Sequence, residues 1–140
     1  MKRLATVTGT AAAVIMLTTT SALANWTSSL DWVRVGFPSR TWGDQSYSQI
    51  HFTKCTTDRQ SPHDSVHVQL VRVDTSPDTY YDTKKFTECF THGDGDETST
   101  GVWTGLPAGD YRFYIKSINN ADVNVLSVNK VTVDTTKADG

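Results

Sequence analysis

Alternation of apolar and polar side chains with a period of two recurs along most of residues 30–133 of this 140-residue chain. Such alternation is typical of half-buried β-strands, whereas an amphipathic helix needs apolar residues three and four positions apart over several turns. No stretch of the sequence sustains that helical spacing. The pattern therefore predicts an all-β domain with little helix.

Seven segments carry the alternation strongly enough to be predicted as strands, at residues 30–37, 48–55, 65–74, 84–91, 98–103, 109–118 and 123–133. In the third segment the apolar positions change from even to odd numbers after Leu70, and a β-bulge there would explain the change. Turn-forming Gly, Pro, Asn and Asp residues separate the segments. About seven short strands in about 110 residues predict a small antiparallel β-sandwich.

Residues 1–24 have the three parts of a secretory signal peptide. Lys2 and Arg3 supply the positive start, residues 4–17 form an apolar stretch diluted by threonine, and residues 21–24 are mostly small, as cleavage requires. The apolar stretch is shorter than the about 20 residues that span a bilayer, which favours cleavage over a membrane anchor. We therefore expect a secreted, extracellular protein that does not insert into a membrane.

Loss of residues 1–24 would leave 116 residues and remove Lys2 and Arg3, so that 11 basic side chains face 15 acidic ones, a net charge of −4. A nucleic-acid-binding domain needs a basic patch, so we expect no nucleic-acid partner. Apolar residues make up 37% and charged residues 20% of the chain. This balance allows a packed core and argues against disorder.

Cys55 and Cys89 are the two cysteines of the chain. Export would place them in an oxidising compartment, where a pair is expected to form a disulfide. A catalytic thiol or a metal pair would need a CxxC motif or a nearby Cys/His arrangement, and the sequence has neither. We predict one structural disulfide between them.

No sequence motif names a reaction. The G-x-S-x-G elbow of serine hydrolases is missing, and so are the phosphate-binding and dinucleotide-binding glycine motifs. A glycosidase pair built from aspartates stays open, because the separation of two carboxylates is not given by sequence. We expect a protein that is not an enzyme and uses no cofactor.

Metal binding has two candidate groups of residues. Asp and Gly alternate over residues 93–96, but the spacing does not match an EF-hand, and such residues also suit a hairpin turn. The histidines lack the spacing of a zinc site; they are His51, His63, His67 and His92. We expect a turn and no metal site.

The stretch of residues 106–111, with the sequence LPAGDY, resembles the L-x-x-G-x-Y turn of fibronectin type III and related immunoglobulin-like sandwiches. In those folds the tyrosine hydroxyl bonds back to the upstream backbone. The resemblance implies that Tyr111 is a structural corner residue. It also implies that Gly109 is a turn residue with permissive dihedral angles.

Aromatic and basic side chains are concentrated directly after the expected cleavage site. We predict an aromatic-rich arm or first strand at residues 25–42, followed by the sandwich at residues 43–140. Exposed tryptophan near arginine is typical of binding surfaces. For Trp32 and Phe37 the alternative is a place in the core, whereas Trp26 and Trp42 are expected at the surface. The candidate partner-binding residues are Trp26, Trp32, Arg34, Phe37, Arg40 and Trp42.

These features favour a secreted, non-catalytic interaction module, an adaptor or assembly subunit that contacts another secreted protein through residues 26–42. In size, expected secretion and β content the chain resembles the small connecting subunit of secreted bacterial toxin particles of the umbrella type. That resemblance implies an adaptor role. We expect removal of the arm to abolish partner capture and to leave the fold intact.

Two other functions stay open at this point. A carbohydrate-binding module that recognises a cell-surface glycan would stack sugar rings on exposed aromatic residues, with residues 80–82 and Trp103 as candidates. A secreted protease inhibitor would present a stiff loop, with residues 83–85 near Cys89 as the candidate.

Overall fold

The structure, a computed structural model, describes residues 25–91 and 97–136. Within these ranges the chain forms eight strands and one short 3-10 helix, and every strand pairing is antiparallel. The strands are β1 (Trp26–Arg34), β2 (Trp42–Asp44), β3 (Tyr47–Thr57), β4 (Val66–Arg72), β5 (Thr79–Phe86), β6 (Thr98–Thr104), β7 (Gly109–Ile118) and β8 (Val125–Asp134), with the 3-10 helix Glu88–Phe90 after β5. The all-β prediction is confirmed.

The strands form two four-stranded sheets, with the order β1-β8-β3-β6 in the first sheet and β2-β7-β4-β5 in the second. The sequence pattern predicted this two-sheet arrangement. The final strand departs from the constant-type immunoglobulin order, in which the last two strands share a sheet. Here β8 lies in the first sheet and β7 in the second.

Aromatic rings fill the space between the sheets. Phe52 of β3 lies with its ring centroid 5.0 Å from that of Phe86 and 5.5 Å from that of Phe113, both in the second sheet. Trp42 of β2 continues this contact, at 6.5 Å from Phe113. Because successive side chains of a strand point to opposite faces, the alternation in the sequence delivers these rings to one interior.

The structure corrects two strand predictions. The segment predicted at residues 84–91 is divided, since β5 ends at Phe86 and residues 88–90 form the 3-10 helix. The strand β2 was not predicted, because three residues are too few to show a period.

The irregularity expected near Leu70 is present, but the extra residue lies in the neighbouring strand. Gln69 faces Thr83 and Val71 faces Tyr80, so two steps along β4 oppose three steps along β5. Opposite β7, the same part of β4 stays in regular register. Val71 is nevertheless fully buried, which is why the apolar pattern of β4 changes phase.

The predicted disulfide is present. Cys55 in β3 is bonded to Cys89 in the 3-10 helix, with a Cα–Cα distance of 5.1 Å and a sequence separation of 34. Both side chains are buried. The bond therefore links the first sheet to the segment that follows β5, an edge strand of the second sheet.

The turn before β7 contains the corner hydrogen bond that its sequence predicts. The Tyr111 hydroxyl donates to the Pro107 carbonyl at 2.5 Å, and burial raises the pKa of this phenol. The permissive dihedral angles expected of Gly109 are not used, because its φ is not positive. A Cβ at Gly109 would instead collide with Arg72 Nε and lie 2.9 Å from Asp74 Oδ1.

Loss of the disulfide is expected to lower the free energy of unfolding by about 3.5 to 4 kcal/mol, because the bond closes a loop of about 35 residues in the unfolded chain. Urea unfolding of the native protein and of a Cys55→Ala/Cys89→Ala variant measures this difference. A reducing agent should destabilise the native protein and leave the variant unchanged. Equal stability of the oxidised protein and the variant would contradict the expected role of the bond.

Tyr111→Phe is expected to lower the free energy of unfolding by about 1 kcal/mol, because it removes the hydroxyl that donates to Pro107 and keeps the ring. Tyr80→Phe is the matched control, since Tyr80 is 59% exposed whereas Tyr111 is fully buried. Thermal or urea unfolding of both variants makes the comparison. An equal effect of the two substitutions would show that the corner hydrogen bond does not contribute.

Candidate functional site: the β1 edge

The strand β1 forms one edge of the first sheet and pairs with β8 on one side only. The free edge of a strand presents backbone N–H and C=O groups that another chain can pair with. Six of its nine side chains are exposed. In the part of the chain that the structure describes, β1 is thus an open edge.

A bulge in β1 presents Trp32 to solvent. Leu30 faces Val128 and Val33 faces Leu126, so three steps along β1 oppose two steps along β8. Trp32 lies in this bulge, where β1 has one residue more than β8. Its φ is 52° and its side chain is 54% exposed. A bulky residue rarely adopts this left-handed conformation, and such strain is often found at functional sites.

The bulge is held in place by its neighbour in the sheet. The Trp32 backbone N–H donates to the Ser127 hydroxyl at 3.0 Å. Because β-bulges change the direction in which a side chain points, the indole projects from a fixed backbone and not from a loose end.

Trp26 and Arg40 form a second feature of the same edge, a groove of about 100 Å³ between β1 and residues 37–40. The Arg40 guanidinium lies 5.2 Å from the centre of the Trp26 ring. Trp26 Nε1 is shielded from solvent, and no acceptor within residues 25–91 and 97–136 reaches it. A shielded N–H without an acceptor is unfavourable, and it belongs to a residue that lines this groove.

Trp42 is a core residue, which contradicts its expected exposure. Its side chain is 4% exposed, and its ring lies 5.9 Å from that of Trp26. Its Nε1 donates to the Ser48 hydroxyl at 3.2 Å, and that hydroxyl donates in turn to the Asp44 carboxylate. Trp42 therefore packs against Trp26 from the core side, and its own side chain is too buried to contact a partner.

The remaining two candidates lie on the segment that leaves β1. Arg34 ends the strand and is exposed, whereas Phe37 is half-buried and packs against the core. Residues 36–39 then follow β7, with hydrogen bonds from Gly36 N to Ile115 O at 2.7 Å and from Ser39 N to Phe113 O at 2.9 Å.

The segment at residues 25–42 is therefore an integral part of the sandwich. It supplies the strand β1, the pairing partner of β7 and the buried ring of Trp42. The expectation that its removal leaves the fold intact is wrong, because deletion would expose β8 and open the core.

The carbohydrate candidates are divided between core and surface. Trp103 is 3% exposed and its Nε1 donates to the Asp82 carbonyl at 2.9 Å, so it offers no stacking face. Tyr81 is half-buried, with its ring 6.0 Å from that of Tyr111. Tyr80 remains at the surface.

The segment expected as an inhibitory loop, residues 83–85, lies inside β5. Lys84 Nζ lies 3.0 Å from Asp82 Oδ2 and 5.6 Å from the centre of the Trp103 ring. These contacts hold Lys84 along the sheet, whereas a protease inhibitor of the expected kind needs a protruding loop.

The histidines of the strands lie in different sheets. His51 Nδ1 is 2.9 Å from Thr100 Oγ1, and burial lowers the pKa of this imidazole although Asp134 opposes the effect. His67 Nδ1 is 3.0 Å from Ser117 Oγ, and burial with the nearby Lys85 lowers its pKa.

Three observations concern metals and membranes. Over residues 25–91 and 97–136, no three His, Cys, Asp or Glu side chains are grouped as a metal site requires. His92 and the acidic residues 93–96 lie outside the described residues, as does the expected signal peptide at residues 1–24. No helix within the described ranges has the length and apolar character needed to cross a membrane.

Comparison with known proteins finds no matching family model, no matching curated protein and no matching solved structure. The assignment of a function therefore depends on the geometry of the chain itself.

Truncation to alanine is expected to destabilise the protein strongly at Trp42 and hardly at all at Trp32. Trp42→Ala should lower the free energy of unfolding by about 3 to 5 kcal/mol, because it empties a core position. Trp32→Ala should change it by no more than about 0.5 kcal/mol, because the side chain is mostly in solvent. Urea unfolding measures both, and a large loss of stability for Trp32→Ala would contradict its description as a surface residue.

Proposed function

We propose that this protein is a non-catalytic interaction module of an exported protein assembly, and that it binds its protein partner through the β1 edge. The observation that carries the proposal is the bulge that holds Trp32 exposed on an open edge strand. Tryptophan is enriched among the residues that dominate binding energy in protein interfaces. A strained and exposed tryptophan contributes nothing evident to the fold, which favours a role in binding.

The partner that best suits this edge is an extended segment of another protein. Such a segment would pair with the free side of β1 and add a strand to the first sheet, as in β-augmentation. Its side chains would contact Trp32. A carboxylate or carbonyl of the partner would accept a hydrogen bond from Trp26 Nε1 beside the Arg40 guanidinium, which would supply the missing acceptor.

Export is part of the proposal. The buried disulfide between Cys55 and Cys89 is consistent with an oxidising, extracellular environment. The secretory pattern of residues 1–24 supports the same location. A connecting subunit of a secreted bacterial toxin particle is one adaptor with the size and β content of this chain.

Capture from native culture fluid tests the proposal with point variants, since deletion of residues 25–42 would disrupt the fold. The tagged protein and its Trp32→Ala and Arg40→Gln variants are used as baits, and co-purifying proteins are quantified by mass spectrometry. Tyr80→Ala is the matched control, because it removes an aromatic ring of similar exposure from a strand of the other sheet.

We expect the native protein and Tyr80→Ala to capture a stoichiometric partner. We expect Trp32→Ala to bind that partner about 30-fold more weakly, as for an interface residue that contributes about 2 kcal/mol. Arg40→Gln should weaken binding further when the two changes are combined. A partner that is retained equally by the Trp32→Ala variant, or the absence of any stoichiometric partner, would refute the proposed contact.

A further inference from the structure

A second concave site lies away from the Trp26 groove. It has a volume of about 300 Å³ and is lined by Gln69 of β4, Tyr114 and Lys116 of β7, Tyr80 of β5 and residues 35–36. Gln69 and Tyr114 face each other across the pairing of β4 with β7. Because Gln69 alternates with the buried residues Val68 and Leu70, it lies on the outer face of the second sheet.

The amide of Gln69 has one satisfied end and one unsatisfied end. Its Nε2 donates to the Tyr81 carbonyl at 2.9 Å, which fixes which end of the amide is the oxygen. Its Oε1 is shielded from solvent, and no donor of the described residues reaches it. A buried acceptor of this kind costs free energy until a donor arrives, so the cavity favours a ligand with an O–H or N–H group.

The other side chains of the cavity narrow the ligand class. Tyr80, which is largely exposed, and Tyr114, which is half-buried, both line the cavity and supply it with aromatic surface. The Lys116 ammonium adds three donors for hydroxyl, ring or carboxylate oxygens. Aromatic faces for C–H groups together with polar groups for hydroxyls match a sugar ring better than a purely apolar ligand.

The volume of the cavity and the charge of its lining also favour a small sugar as the ligand. A volume of about 300 Å³ is at the lower end for small-molecule pockets, which corresponds to one or two sugar units and not to a long chain. Lys116 is the one cationic side chain among the lining residues, so a phosphate-rich ligand such as a nucleotide would be poorly neutralised.

We propose that this cavity binds a saccharide unit of a glycan, with Gln69 Oε1 accepting a hydrogen bond from a sugar hydroxyl and Tyr80 packing against the ring. This site is independent of the proposed protein contact at β1. Of the carbohydrate-binding residues expected from the sequence, Tyr80 belongs to this site and Trp103 does not. Gln69, Tyr114 and Lys116 were not among those expected residues.

The test is a titration of the ¹⁵N-labelled protein by NMR with methyl glycosides of a neutral hexose, an N-acetylhexosamine and a hexuronic acid. Glycerol is added in a separate titration to detect a response to any polyol. We expect at least one glycoside to shift the amide signals of Gly36, Gln69 and Lys116 in a saturable manner. We expect glycerol to leave them unchanged.

Three variants locate the binding. Tyr80→Ala should weaken it by about threefold to tenfold, from the loss of ring packing. Gln69→Leu should weaken it by about threefold to tenfold, from the loss of one hydrogen bond. Trp32→Ala should bind the sugar as the native protein does, and circular dichroism monitors the fold of each variant.

The Gln69→Glu variant separates a binding role of Gln69 from a structural one. Gln69→Leu and Gln69→Glu both lose the N–H that donates to the Tyr81 carbonyl, but only Gln69→Glu keeps an acceptor oxygen, so Gln69→Glu should bind the sugar more tightly than Gln69→Leu. No saturable shift with any glycoside, an equal response to glycerol, or unchanged affinity in Tyr80→Ala and Gln69→Leu would overturn the proposal. Failure of partner capture at β1 would leave this result unaffected.

Discussion

The contact of Phe52 with Phe86 and Phe113 is the interaction on which the other features of this structure depend. Phe52 belongs to the first sheet and its two neighbours belong to the second, with ring centroids 5.0 and 5.5 Å apart. These separations lie within the range that aromatic pairs prefer. Trp42 extends the contact to the edge of the sandwich, where it supports Trp26. The position of the β1 edge is thus determined by the core.

A firmly supported edge has a consequence for binding. Association is weakened by the entropy of ordering loops and side chains, and a contact surface that is already ordered avoids much of this loss. Trp26 packs on a buried ring, and the backbone of Trp32 is bonded to Ser127 in the adjacent strand. The edge therefore presents two indoles in defined positions, unlike the free arm that a terminal, aromatic-rich segment suggests.

The alternation of the sequence predicted the two-sheet sandwich. The presence of two cysteines with a secretory pattern predicted the disulfide, and the resemblance of residues 106–111 to an immunoglobulin-like turn implied the corner at Tyr111. The sequence did not predict which tryptophan is buried, because burial depends on distant neighbours. Trp42 lies in a strand of three residues, too short to show a period, and Trp32 lies in a bulge that breaks the alternation. Gly109 shows the same limit, since the Arg72 side chain that a Cβ there would meet is 37 residues away in sequence.

The two proposed sites share one segment of backbone, which follows from how the chain crosses between sheets. Residues 35–36 border the cavity on the second sheet, and residues 37–40 line the groove beside β1. Both parts are fastened to β7, by Gly36 to Ile115 and by Ser39 to Phe113. Because these hydrogen bonds order the segment before any ligand binds, neither site needs the other to be occupied in order to form. The β1 edge and the cavity are thus separate surfaces that share a fixed piece of backbone.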